Sequence, residues 1–229
     1  MALADELRAA VAETIKSRWS EREGRIVPAD SDVKLLNDCV KLNATVLYAD
    51  IDESTKLVDA HKPHLAAEVY KTFLYCASRV IRSEGGEITA FDGDRVMAVF
   101  VGDTKNTSAA RTALKLNDVR TQIINPAIVA QYGAGAYQLR HVVGVDTSEL
   151  HAVKAGIRGS NDLAWIGRAA NHAAKLCTLP ADYSSYITEE VFKVMQDDVK
   201  VSNGKSMWER VSWTATGRII YRSSWRWPV

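Results

Sequence analysis

Two acids in this chain stand where a metal could be held. Asp50 closes the apolar run Ala44-Thr-Val-Leu-Tyr-Ala-Asp50, and Ile51-Asp52-Glu53-Ser54-Thr55 then leads into a helical stretch. A carboxylate at a strand's end, beside a helix N-terminus, suits a metal–triphosphate complex. The acid holds the cation, and free backbone N–H groups of the turn, around Ser54 and Thr55, receive phosphate oxygens. One such acid alone would be read as a helix cap. Asp94 changes that balance, because it sits at the tip of the hairpin Phe91-Asp92-Gly93-Asp94. Asp92-Gly93 supplies the turn geometry and leaves Asp94 free. Two carboxylates and the Ile51 carbonyl form a ligand set for two divalent ions, Mn2+ or Mg2+. In-line displacement at phosphorus uses such a pair, one ion on the attacking hydroxyl and one on the leaving diphosphate.

These acids meet only if the intervening elements bring them together. Residues 44–50 read as a strand. Residues 55–83 read as a helix whose apolar face is Leu57, Leu65, Val69, Phe73, Cys76 and Val80, ended by Gly85-Gly86. Residues 87–91 and 95–101 form the hairpin, residues 106–124 a second helix stopped by Pro126, and residues 139–145 another strand. The order strand, helix, strand, strand, helix, strand is a split βαβ, ferredoxin-like α+β arrangement. In it the first strand is central and neighbours the hairpin, so Asp50 and Asp94 converge. Further on, residues 162–166 and 168–176 read as strand and helix, and residues 208–213 and 218–221 as late strands. At the front, Leu3, Leu7, Val11, Ile15 and Trp19 have helical spacing. That narrow stripe packs on the main domain or on a second subunit. The charged residues 20–32, with Pro28, read as a linker. The expected organisation is an N-terminal helix and linker over 1–30 and a catalytic domain with C-terminal strands over 31–229.

Bulk properties narrow the classes. The 229 residues are 47% hydrophobic and 25% charged, with net charge +1. No general basic field points to nucleic acid or a membrane surface. No apolar run is long enough to cross a bilayer. Cys39, Cys76 and Cys177 have no zinc or redox spacing and read as buried thiols of a cytoplasmic protein. His61 and His64, with Pro63 between them, read as surface residues. Trp208, Trp213, Trp225 and Trp227 read as core or interface rather than a stacking platform.

Three segments carry a resemblance. Tyr48-Ala-Asp50-Ile51-Asp52-Glu53-Ser54-Thr55 resembles the Phe-x-Asp-Ile-x-Gly-Phe/Ser-Thr element of the class III nucleotide cyclases. Gly93-Asp94-Arg-Val-Met-Ala-Val resembles their Gly-Asp-x-x-Met-Ala-Val hairpin. Trp165-Ile166-Gly167-Arg168-Ala-Ala-Asn171-His-Ala-Ala-Lys175-Leu176 resembles their Gly-x-x-Val-Asn-x-Ala-x-Arg-Leu helix. The motifs follow the family's order across about residues 40–180. The resemblance implies a homodimer with shared sites, closing a nucleoside triphosphate into a 3′,5′-cyclic monophosphate. It implies that Asn171 orients the ribose and that Lys175, in place of the family's arginine, meets charge on the α-phosphate. Asn171 and Lys175, four apart, share one helix face and would act on the other subunit's metal half. Lysine keeps the charge and loses the planar fork. A late basic residue contacts the triphosphate in the family, and Arg218 and Arg222 are the nearby arginines.

The base-reading positions depart from the adenylate pattern. The family's adenine-reading lysine and aspartate fall at Ala90 and Ala164, which offer no polar side chain. Gly144-Val145-Asp146-Thr147-Ser148, with Gly156-Ile157-Arg158-Gly159-Ser160-Asn161-Asp162-Leu163, resembles the stand-alone pyrimidine cyclases of bacterial antiphage (Pycsar) systems. That resemblance implies a product sensed by a separate cyclic-nucleotide-binding effector. UTP is the expected substrate, CTP second and purines poor. Tyr48, Phe91 and Trp165 are the bulky residues that would narrow a pyrimidine pocket. Arg158 and Asn161 are the candidate donors to uracil O4, since an unpaired buried edge costs about 1–3 kcal/mol. A cytidylate cyclase, a purine cyclase with a divergent pocket, and a silent nucleotide-binding domain remain open readings.

Overall fold

The computed structural model describes residues 2–229. Helix α1 (Leu3–Lys16) precedes a short strand β1 (Ser20–Glu23) and the central strand β2 (Asp38–Ile51). β2 is apolar along most of its length because both of its faces are covered. Leu47, Ala49 and Ile51 enter one core; Val40, Leu42, Ala44 and Val46 enter the other. After β2 come α2 (Ser54–Ala60), α3 (Pro63–Ser83), the hairpin β3 (Glu87–Asp92) and β4 (Arg95–Phe100), and α4 (Lys105–Val119). A π turn (Arg120–Ile124) runs into α5 (Asn125–Tyr132), and β5 (His141–Ile157) follows. Next are β6 (Ser160–Ile166), α6 (Arg168–Leu176), β7 (Ser185–Thr188) and α7 (Glu189–Val194). The chain ends with the minor strands β8 (Val201–Ser202) and β9 (Lys205–Ser206), then β10 (Glu209–Trp213) and β11 (Arg218–Ser223).

The main sheet runs β10-β11-β7-β5-β2-β4-β3, with β1 on β2 and β6 on β5. The order β5-β2-β4-β3 is the ferredoxin-like core expected from the sequence. Helices α3 and α4 cover the face of Leu47 and Ala49. Helix α6 covers the face of Val46 and Met97. It comes so close to β5 that a Cβ on Gly144 would lie 2.2 Å from the Ala173 carbonyl oxygen. Only glycine admits that approach.

Four local expectations change. Residues 20–23, expected as linker, pair in parallel with residues 38–41; their side chains stay exposed, so no apolar alternation marks the strand. The helix expected over 55–83 breaks at Pro63, which opens α3 because its missing N–H is harmless in a first turn. Pro126 does not stop the second helix. It cannot donate to the preceding turn, and the chain passes through the π turn into α5 instead. The strand expected over 139–145 extends to Ile157, through polar residues that hide its periodicity.

The stripe on α1 does not pack on the main domain: Leu3 is 69% exposed and Ile15 79%. The Asn37 amide anchors the helix end, donating to the carbonyls of Thr14 (2.7 Å) and Ser17 (2.8 Å). Trp208 and Trp213 are buried. Trp225 and Trp227 lie along α4, where Asn117 donates to the Trp225 carbonyl and the Trp227 N–H donates to the Leu114 carbonyl. The tryptophan-rich tail is packing, as its sequence suggested.

His141 opens β5 fully buried, and neither ring nitrogen has a hydrogen-bond partner among the described residues. Burial, with the Arg120 charge behind it, pushes its pKa down to about 3. Below an ordinary histidine pKa near 6.5 the unfolded chain takes up a proton that the folded chain refuses. Stability therefore falls as pH drops through that window, by about 2 kcal/mol near pH 5 from this residue. Urea unfolding at about pH 7.5 and pH 5 should show a smaller acid loss in His141→Leu than in the parent. Equal losses would contradict the assignment.

Candidate active site

β2 pairs with β4 so that Ala49 stands opposite Val96. This register sets the β3–β4 turn, with Asp94, beside the end of β2, with Asp50. Asp50 is partly buried, and burial with the neighbouring Asp94 pushes its pKa up to about 6, against the pull of Arg95. Asp94 Oδ2 is buried with no hydrogen-bond partner among the described residues. The two carboxylates are close enough to repel, and one has an unused oxygen. Such a pair fits a divalent cation, which would supply the missing charge and take up the orphaned oxygen. Among the described residues no group of three or more His, Cys, Asp or Glu side chains could hold a metal. The remaining ligands of such a cation would be oxygens of a carbonyl, such as that of Ile51, of a substrate or of water. An all-oxygen donor set suits Mg2+ or Mn2+.

The turn after Asp50 holds a feature that sequence reading passed over. Glu53 adopts the left-handed conformation, φ 56° and ψ 34°, immediately before α2 begins at Ser54. Glycine occupies this place in the motif that the segment resembles, and glycine takes this conformation without steric cost. Here Glu53 takes it while paired with Lys56. Ser54 and Thr55 follow at the N-terminus of α2. Arg140 was also missed. Its carbonyl accepts the Asp52 N–H at 3.0 Å and its Nε lies 3.4 Å from Asp52 Oδ2, so it clamps the turn from the strand behind. A lone arginine before a strand has no pattern to find.

On the α6 face, the Arg95 guanidinium lies 5.4 Å from the Tyr48 ring centroid and donates to Asp92 at 2.8 Å. Burial, then the adjacent Asp50, pushes the Cys177 thiol up to about 12, so it stays protonated as a small neutral wall. Tyr48, Ala90, Leu163 and Trp165 pack against the same core cluster. Two donors there are buried without partners, Arg95 Nε and Trp165 Nε1. Asn171 and Lys175 lie exposed on the outer face of α6.

Three expected residues are not brought to this group. Phe91 stands opposite Val96, which belongs to the α3 and α4 core, so Phe91 faces the other side of the sheet from Tyr48. It lines a groove with Tyr75, Arg79 and Arg82 of α3. Arg158 and Asn161 sit at the β5–β6 hairpin tip, the opposite end of β5 from Val142, which pairs with Asp50. The Asn161 amide is already donated to the Ile157 carbonyl. Of the two late arginines, Arg218 pairs with Glu190 and Arg222 with Glu209. His61 and His64 are exposed.

No protein-family model matches the chain. Over its full length it is 51% identical to the uridylate cyclase of Xanthomonas perforans, with both chains covered completely. The uridylate cyclase of Burkholderia cepacia gives the same identity and coverage. A uridylate cyclase of Rhodovulum sp. is 36% identical across 100% of this chain and 99% of its own. The chain belongs to the uridylate cyclase family. Solved nucleotide cyclases share its fold. The adenylyl cyclase CyaB from P. aeruginosa matches with a TM-score of 0.68 at 20% identity, over 81% of this chain and 95% of that one. The guanylyl cyclase Cya2 matches with a TM-score of 0.67 at 16% identity, over 82% and 94%.

The raised pKa of Asp50 gives this cyclase a measurable metal signature. A proton competes with a cation for Asp50 below about pH 6. Mn2+ affinity, measured by calorimetry, should therefore weaken by up to about tenfold per pH unit below that point and level off above it. An affinity unchanged between about pH 7.5 and pH 5 would show that Asp50 is not a ligand.

Proposed function

We propose that the chain converts UTP to 3′,5′-cyclic UMP and diphosphate, at sites shared between two copies. The full-length 51% identity to two uridylate cyclases carries the choice of substrate. The facing carboxylates of Asp50 and Asp94 support the chemistry. Together with the Ile51 carbonyl they would hold two Mn2+ or Mg2+ ions. Such ions, when bound, polarise the attacking 3′-hydroxyl and neutralise the leaving diphosphate.

The protein's own share is positioning and charge. The N–H groups around Ser54 and Thr55 take phosphate oxygens at the start of α2, and Arg140 adds positive charge beside that turn. Asn171 and Lys175 act on the metal half of a second copy. Asn171 orients the ribose, and Lys175 meets developing charge at the α-phosphate as a point charge. The uracil falls to the face carrying Tyr48, Ala90 and Trp165. Ala90 leaves room and no lysine, and the unpaired Trp165 Nε1–H suits a pyrimidine carbonyl. The resemblance to stand-alone pyrimidine cyclases further supports a role in antiphage defence. The product would then be read by a separate cyclic-nucleotide-binding effector. No described helix is long and apolar enough to cross a membrane.

Incubation with Mn2+ and an equimolar mixture of UTP, CTP, ATP and GTP tests the reading directly. Mass spectrometry should find cyclic UMP as the main product, cyclic CMP as the minor one and only traces from purines. A purine product as the main species would overturn the substrate. Absence of any product would favour a silent domain. Asp50→Ala and Asp94→Ala should each remove turnover while the chain stays folded.

A further inference from the structure

The proposed roles of Asn171 and Lys175 require α6 to be held at one rotation about its axis. A small turn of a nine-residue helix would carry both side chains off their target, and misplacement of about 1 Å can cost about 100-fold in rate. The outer face of α6 meets solvent, so its orientation must be set from the inner face. Small residues dominate that inner face: Ala169, Ala170 and Ala173 are buried there, with Leu176 at its end. Alanines allow close approach but lock rotation poorly. Something more directional is needed, and β5 provides it.

Asp146 lies in the first half of β5 and is fully buried. Its Oδ2 is 3.2 Å from Arg168 Nε and 3.2 Å from His172 Nδ1. Arg168 and His172 are four apart on α6, so one carboxylate touches successive turns of one helix face. Its Oδ1 accepts from the Thr188 hydroxyl at 2.6 Å and the Thr147 N–H at 2.7 Å, which fixes the acid to β7 and β5. The neighbouring Ser148 hydroxyl accepts the Ala169 N–H at 3.0 Å, at the first turn of α6. Arg168 also donates to the Thr147 carbonyl and, at 2.7 Å, to Glu190 on α7. The His172 ring closes the group edge-on against Trp213, with centroids 5.4 Å apart. A buried carboxylate is costly unless it is paired and hydrogen-bonded; here Oδ1 carries the hydrogen bonds and Oδ2 the close contacts to Arg168 and His172.

We infer that Asp146 is a positioning residue: through Arg168 and His172 it fixes the rotation of α6, and so aims Asn171 and Lys175 at the metal acids of a second copy. His172 and Asn171 are sequence neighbours, about 100° apart around α6; His172 turns in toward Asp146 and Asn171 is exposed. A rotation that loosened the first would misdirect the second. The inference rests on the shared-site reading given above.

The test is complementation between chains with different lesions. Asp146→Asn, nearly isosteric, and Arg168→Gln, a half-exposed site less prone to misfolding, should each lower kcat by roughly 10- to 100-fold. KM for UTP should stay within about threefold, since transition-state contacts are the ones lost. Mixing Asp146→Asn with Asp94→Ala chains should restore activity, because one heterodimer site joins intact metal acids to an intact α6. Mixing Asp146→Asn with Lys175→Ala should restore nothing, because every site then has a damaged α6. The same pattern is expected for Arg168→Gln. Recovery with Lys175→Ala, failure with Asp94→Ala, or a loss confined to melting temperature would overturn the inference. The control mixture, Asp94→Ala with Lys175→Ala, separates the two levels. If it recovers, the shared-site reading stands and the Asp146 result is decisive on its own. If it stays inactive despite subunit exchange, the shared site falls and the inference falls with it.

Discussion

A repulsion organises this molecule. Two carboxylates, Asp50 and Asp94, are held side by side in a partly buried place, where burial and the neighbouring Asp94 push the pKa of Asp50 up to about 6. The sheet imposes that proximity. The pairing of β2 with β4 fixes the strand end and the hairpin turn relative to one another, and neither can retreat without breaking the ladder. The chain does not relieve the conflict fully from its own resources. Arg95 lies close but is bonded to Asp92, and Asp94 keeps an unused oxygen. A cation at that place would relieve the repulsion and take up the unused oxygen.

The rest of the architecture can be understood as holding what that pair needs. A two-sided core keeps β2 straight enough to deliver Asp50 at its end. The left-handed Glu53 turns the chain so that α2 starts beside the acids, and Arg140 keeps that turn in place. On the other side of the sheet, Gly144 lets α6 sit directly on β5, and the Asp146 cluster grips it there. Buried charge thus appears twice, with an unused oxygen on Asp94 and paired with Arg168 behind α6.

The legible part of this design was the part carried by local pattern. The ferredoxin-like order followed from alternating apolar runs and turn residues, and α6 was read to its ends, Arg168–Leu176. Asp50 and Asp94 could be paired because strand order alone makes them neighbours. What could not be read depends on side-chain direction or on partners distant in the chain. Phe91 adjoins the hairpin motif, yet the register at Val96 turns it to the opposite face. Arg158 and Asn161 stand close to α6 in sequence but at the far end of a strand whose length was underestimated. Asp146, Arg168 and His172 are ordinary residues in the string and become a cluster only when β5 and α6 cross.

The facing carboxylates of one copy are proposed to hold cations for a nucleotide gripped by α6 of another. A crystal structure with Mn2+ and a non-cyclisable UTP analogue, with anomalous scattering recorded at the manganese edge, tests it most directly. Two manganese peaks are expected within about 2.5 Å of oxygens from Asp50, Asp94 and Ile51 in one copy, with Asn171 and Lys175 of the second copy facing the ribose and α-phosphate. Peaks away from both carboxylates, or a nucleotide met by α6 of the same copy, would contradict it.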